Sequence, residues 1–180
     1  MTDNKSETWM TWLALTTAIL AVLAAITPLY MGKFSSRAII YQGQETNQWS
    51  YYQAKSIKSY IYEIQKKEVD MEMELFAAQG KLPKAYAEKA RRFITDCDNK
   101  IERYEKEKEE IKAEADKLMK EKDLAQRRAG SFGYSLIFLQ IAIMLSSVAA
   151  LTKKKHLWQF SLITVAGWVY YYLDAIFLLS

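Results

Sequence analysis

Residues able to do covalent or acid-base chemistry are scarce in this chain, and their spacing assembles none of the usual devices. There is one cysteine, Cys97, and one histidine, His156. A single Cys excludes an intramolecular disulfide, and one His without a Cys cluster leaves a zinc ion short of ligands. No phosphate-binding glycine loop and no nucleophile-base motif is present. The reading is therefore of a non-enzymatic protein with no catalytic residue, no metal ligand and no cofactor. Cys97 lies between Asp96 and Asp98, which oppose a thiolate, so it reads as a small buried hydrophobe. His156 reads as a polar turn residue.

What remains is chemistry of recognition. Asn47, Gln48, Trp49, Tyr51, Tyr52, Gln53 and Lys55 concentrate amphipathic aromatics and amides in nine residues. Trp and Tyr commonly anchor interfaces, so Asn47, Trp49, Tyr51, Tyr52, Gln53 and Lys55 are expected at an oligomer or partner interface. The competing reading packs Trp49 and Tyr52 against the chain's own returning helix. Asp174 is the one acid inside an apolar run. It reads either as an intramembrane functional acid or as an interfacial anchor near headgroup water. Lys153, Lys154 and Lys155 form a basic turn that suits anionic lipid or marks the cytoplasmic side.

The elements that must position these residues follow from hydropathy. Residues 9–31, 132–151 and 157–179 are apolar runs of 23, 20 and 23 residues, each long enough to cross a bilayer as a helix. The sequence predicts an all-α membrane protein with three transmembrane helices, preceded by an N-terminal tail at 1–8. Between spans one and two lies a soluble antiparallel helical hairpin, a coiled coil, at 32–131. Its arms are residues 35–79 and 84–130, about 70 Å each at the helical rise. They join at a turn over 80–83, where Gly80 suits a left-handed C-cap and Pro83 a helix start. The second arm should continue into span two, and 152–156 should turn the chain into span three.

Alternating steps of three and four mark helix-packing seams. On the outgoing arm the apolar seam runs Ala54, Ile57, Ile61, Ile64, Glu68, Met71, Leu75, Ala78. On the return arm it runs Tyr86, Ala90, Phe93, Cys97, Ile101, Tyr104, Lys108, Ile111, Ala115, Leu118, Lys122, Ala125, Ala129, Phe132. The two apolar seams are expected to face each other.

A net charge of +4 raises nucleic acid as a partner, but the water-facing segment 32–131 carries 21 Lys and Arg interleaved with 18 Asp and Glu. Such mixing makes a solvated helix face, not a phosphate track. Lys33, Arg37, Arg127 and Arg128 draw the hairpin to the cytoplasm, while the Lys153 turn opposes them. The net expectation is a multi-pass protein with a cytoplasmic hairpin.

Residues 46–58 carry Asn47, Trp49, Tyr51, Tyr52, Gln53, Ala54, Lys55 and Ser56 in the pattern Asn-x-Trp-x-Tyr-Tyr-Gln-Ala-Lys-Ser. This resembles the signature of a bacterial family of membrane proteins, the domain of unknown function four-three-three-seven. There the pattern follows a first span, and a charged coiled coil leads to two C-terminal spans. The resemblance implies a bacterial inner (cytoplasmic) membrane protein and carries no catalytic residues. The expected function is a scaffold that assembles with copies of itself in the lipid bilayer, without nucleic acid. Two alternatives stay open: a subunit of an ion or small-molecule channel or transporter using Asp174, and an adaptor or sensor binding another protein.

Overall fold

The computed structural model describes residues 3–178, with side chains from Thr8 onward. Met1, Thr2, Leu179 and Ser180, which take in the start of the expected tail and the end of the expected third span, lie outside the described residues. The chain is all-α among the described residues: α1 is Asp3–Ala78, α2 is Lys84–Thr152 and α3 is Lys155–Phe177. Each helix is long and apolar enough over part of its length to cross a membrane. The chain forms two compact units, one of Met1–Ile40 with Glu121–Ser180, the other of Tyr41–Lys120.

The Tyr41–Lys120 unit is a helical hairpin. As residue numbers rise along α1, their partners fall along α2: Lys55 pairs with Glu107, Ser59 with Glu105, Lys66 with Asp98 and Phe76 with Tyr86. This is antiparallel packing in a fixed register. The turn is built as the local residues require. Gly80 takes φ +64, where a Cβ is disfavoured, and the Lys81 amide donates back to the Phe76 carbonyl at 3.1 Å. Pro83 sits just before α2, and its carbonyl accepts from the Ala87 amide at 3.0 Å, the first helical bond of α2. A proline there sacrifices only a donor that a helix start leaves unused.

In the other unit, α1, α2 and α3 meet around Leu20, Leu139 and Ala142, with Leu23, Ile143, Val165 and Trp168 packed on that cluster. Polar side chains close within it. Ser146 donates to Ser161 at 3.0 Å, the Trp158 indole donates to Thr16 at 3.2 Å, and the Thr27 hydroxyl donates to the Leu23 carbonyl at 2.8 Å. Pro28 lies inside α1, where it cannot donate to the Ala24 carbonyl four residues back. Gly167 permits a close approach of α3 to α2, since a Cβ there would fall 2.7 Å from the Phe138 ring. The α2–α3 connection is tighter than the expected 152–156 turn. Only Lys153 and Lys154 separate the helices, and Lys153 reverses the chain with φ 54.

Candidate functional site

The hairpin carries a second seam that hydropathy conceals. Tyr52, Lys55, Ser59, Tyr62, Lys66, Val69, Met73 and Phe76 also alternate in steps of three and four, and every one of them is partly or fully buried. This is the face that packs on α2. Each member lies two residues before a member of the expected apolar seam, about 200° around a helix of 3.6 residues per turn. The expected seam therefore points away from α2. Ile57, Ile61, Ile64, Met71 and Leu75 are between 44% and 61% exposed, and Ala54, Glu68 and Ala78 are exposed with them. The expectation that the two apolar seams face each other is corrected for α1. On the return arm Ala90, Cys97, Ala115 and Leu118 are buried as read, while Phe93, expected on the same seam, is 40% exposed.

What holds α1 on its polar face is a ladder of specific pairs. Tyr62 and Tyr104 stack with centroids 6.0 Å apart. Lys55 lies over the Tyr104 ring at 5.3 Å and Lys100 over Tyr62 at 4.9 Å. Lys55 also reaches Glu107 at 2.5 Å and Lys66 reaches Asp98 at 2.6 Å. At the centre, Ser59 is buried and donates to Glu105 at 3.0 Å. These contacts shift titrations. The hydrogen bond from Lys55, then that from Arg103, hold Glu107 below its ordinary value. The Lys108 ammonium first, with help from the Ser59 hydroxyl, does the same for Glu105. The hydrogen bond to Asp98 raises Lys66. Small residues on α2 and charge-assisted pairs make this face specific, while the apolar face of α1 is left to another surface.

The clustered residues 47–55 divide between the two directions. Trp49 meets Tyr52 edge to face at 5.7 Å, Tyr52 lies under the Lys108 ammonium at 5.5 Å, and Lys55 joins the ladder. Asn47, Tyr51 and Gln53 are exposed. Cys97 is fully buried, and burial, followed by Asp96, pushes its thiol up. Lys153, Lys154, Lys155 and His156 are exposed together at the α2–α3 connection. Asp174 is buried within its unit, its carboxylate accepting from the Ser131 hydroxyl at 2.6 Å. Among the described residues, no group of three or more His, Cys, Asp or Glu is placed to hold a metal ion.

Sequence reasoning placed Tyr104 on the return seam but missed Ser59, Tyr62 and Glu105 as its partners in the hairpin's fastening. The signal that finds them is the three-four spacing of Tyr52, Lys55, Ser59 and Tyr62, which is as regular as the apolar one and invisible to hydropathy. It also missed an open apolar groove of about 710 Å³ between α1 and α2 in the other unit, lined by small residues such as Ala14, Ala18, Ala21 and Ala150.

Comparison with curated proteins and with solved structures finds no match. A family model does match, over residues 9–178, which takes in parts of all three helices and both units. The chain therefore belongs to the family described as Domain of unknown function (DUF4337).

Proposed function

We propose that this protein is a non-enzymatic scaffold of the bacterial inner membrane that assembles with copies of itself, its three apolar helices spanning the bilayer and the outer seam of α1 joining copies. The observation that carries the reading is the outward line of Ile57, Ile61, Ile64, Met71 and Leu75 at heptad spacing. Such a line on a helix already packed on its opposite face is the sequence of a coiled-coil seam without its second helix.

Copies anchored in one membrane lie parallel, and the flanking charges suit that arrangement. In a parallel register, residues on one side of the seam (Gln53, Tyr60, Lys67, Glu74) meet residues five positions on in the other copy (Lys58, Gln65, Glu72, Gln79). Lys67 then meets Glu72 in both directions, and no like charges meet along the flanks of the seam. Glu68, in the middle of the seam, opposes itself. A polar residue at such a position weakens the pair but fixes its register.

Covering a half-exposed aliphatic side chain is worth roughly 1 kcal/mol, so about ten of them from two copies give on the order of 10 kcal/mol. Free association costs about 4–15 kcal/mol in lost motion. Confinement to a membrane removes part of that cost, which is why a seam this narrow belongs on an anchored chain. The test is the mass of the detergent-solubilised particle. Several times the 20.9 kDa chain is expected for wild type, falling to one chain for Ile61→Asp with Ile64→Asp and unchanged for Lys112→Asp on exposed α2. A wild-type particle of single-chain mass overturns the reading.

A further inference from the structure

We propose that the cavity where residues 30–34, 128–132 and 172–176 converge binds the phosphate headgroup of an anionic phospholipid. The cavity measures about 180 Å³ and is lined by Tyr30, Lys33, Phe34, Arg128, Phe132 and Tyr172 among others. All three helices contribute at the level where apolar runs give way to charge: Lys33 follows the first run, Arg128 precedes the second, and Tyr172 is near the end of the third. The site rests on the reading of these helices as membrane spans, because only then does this level meet lipid headgroups.

The walls are fixed aromatics. Phe132 is buried, stacked on Tyr30 and on Phe34 with centroids 5.7 Å apart in each case, and edge-on to Tyr172 at 5.3 Å. Arg128 is the unexplained group. Its guanidinium lies over the Phe34 ring at 5.3 Å, its Nε is buried without a hydrogen-bond partner, and it forms no ion pair among the described residues. Lys33 on the same cavity likewise forms no ion pair among the described residues, and Arg37 caps Phe34 at 5.8 Å. The acid nearest in sequence to the lining, Asp174 beside Ala175, is bound by Ser131.

A buried N–H without an acceptor is a standing penalty that an incoming acceptor removes. Phosphate matches the demand, since guanidinium forks bind it through two oxygens and an ammonium adds a point charge. Size narrows the ligand. Pockets for whole small molecules run to about 300–1,000 Å³. This one takes a headgroup phosphate and its nearest glycerol carbons, leaving acyl chains outside along the apolar helices.

The experiment uses the full chain, delipidated in detergent and titrated with phosphatidylglycerol, phosphatidylcholine or inorganic phosphate under native mass spectrometry. Phosphatidylglycerol is expected to bind at least tenfold tighter than phosphatidylcholine. Arg128→Ala should remove that preference, Arg128→Lys should restore it in part, and Lys33→Ala should weaken it several-fold. Lys112→Ala, on the exposed face of α2 in the hairpin, should leave it unchanged. Equal binding of the two lipids, or an unchanged preference in Arg128→Ala, overturns the proposal. Inorganic phosphate binding as tightly as the lipid overturns the lipid as its source. If Arg128→Ala fails to fold, Lys33→Ala and Arg128→Lys decide the same question. The particle mass is read in the same spectra. An oligomer without lipid preference removes this site and leaves the scaffold, and a lipid-selective monomer does the reverse.

Discussion

Ser131 on α2 donates a 2.6 Å hydrogen bond to the carboxylate of Asp174 on α3. The bond crosses between helices in a buried setting, so it acts on packing before it can act on ions. Hydrogen bonds to a charged group contribute about 1.5–3 kcal/mol, and removing one partner exposes the other to its full desolvation penalty. Ser131→Ala is therefore expected to lower the thermal unfolding midpoint in detergent more than Asp174→Asn, which keeps an acceptor for the hydroxyl. Ion flux in proteoliposomes should be the same for wild type and Asp174→Asn. A flux that wild type shows and Asp174→Asn loses would return Asp174 to the conducting role.

Gly167 on α3 packs closely on Phe138 of α2 in the same unit. A Cβ at residue 167 would sit 2.7 Å from one ring carbon and 2.9 Å from another. The ring is itself stacked on Tyr171 at 5.5 Å, so it has little room to retreat. Gly167→Ala is expected to destabilise by about 1–3 kcal/mol through overpacking. Gly167→Ala combined with Phe138→Leu should lose less than the two single changes together, which a double-mutant cycle of unfolding midpoints in detergent measures.

Much of this fold was legible because helix signals are local. Gly80 and Pro83 mark the turn by their own backbone limits, and Ala90, Cys97, Ala115 and Leu118 lie on the return seam as their spacing required. The outgoing arm was misjudged for a physical reason. Apolar periodicity reports where apolar side chains line up, and on α1 that line is not the face that packs on α2. Ile57, Ile61 and Ile64 mark the line. Tyr52, Lys55, Ser59 and Tyr62 form the packed face, and their pairing depends on Tyr104, Glu105 and Glu107, far along the chain, which no local pattern announces. The recognition cluster was half legible for the same reason, since Trp49, Tyr52 and Lys55 turn inward while Asn47, Tyr51 and Gln53 turn out. The Arg128 cavity depends on three segments converging, and nothing in any one of them names the other two.

The inner ladder sets a pH window. Glu105 and Glu107 are held below their ordinary values by Lys108 and Lys55 respectively. A carboxylate with a depressed folded-state pKa stabilises the fold above its unfolded value, about 4.3, and that contribution disappears as pH falls through the lower folded value. Lys66, Lys100 and Lys108 are raised by hydrogen bonds to Asp98, Asp96 and Glu105. Their contribution is present below about 10.4 and is lost as pH climbs above it through the raised values. Helical unfolding midpoints should be flat from about pH 5 to 8 and fall on both sides, the alkaline limb beginning as the unfolded chain ionises Cys97, whose thiol burial holds protonated in the fold, and steepening as the lysines titrate. Glu107→Gln should flatten the acid limb. Because these pairs are largely solvated, each contributes little and salt should screen that contribution further.

Membrane orientation is measurable at the hairpin turn, and not at the native cysteine. Cys97 is fully buried and its thiol is pushed up by burial and by Asp96, so both access and thiolate fraction oppose reaction. Native Cys97 should resist maleimide until the chain is unfolded. Lys81, exposed at the turn between α1 and α2, offers a reporter: Lys81→Cys in a Cys97→Ala background presents an accessible thiol beside Lys84. Alanine occupies neighbouring positions of the same seam at Ala90 and Ala115, so the background change keeps the packing small and apolar. With a cytoplasmic hairpin, a membrane-impermeant maleimide should label Lys81→Cys only after cells are lysed, and a permeant one should label it in both cases. Labelling of intact cells by the impermeant reagent would place the turn, and with it the outward seam of α1, on the opposite side of the membrane.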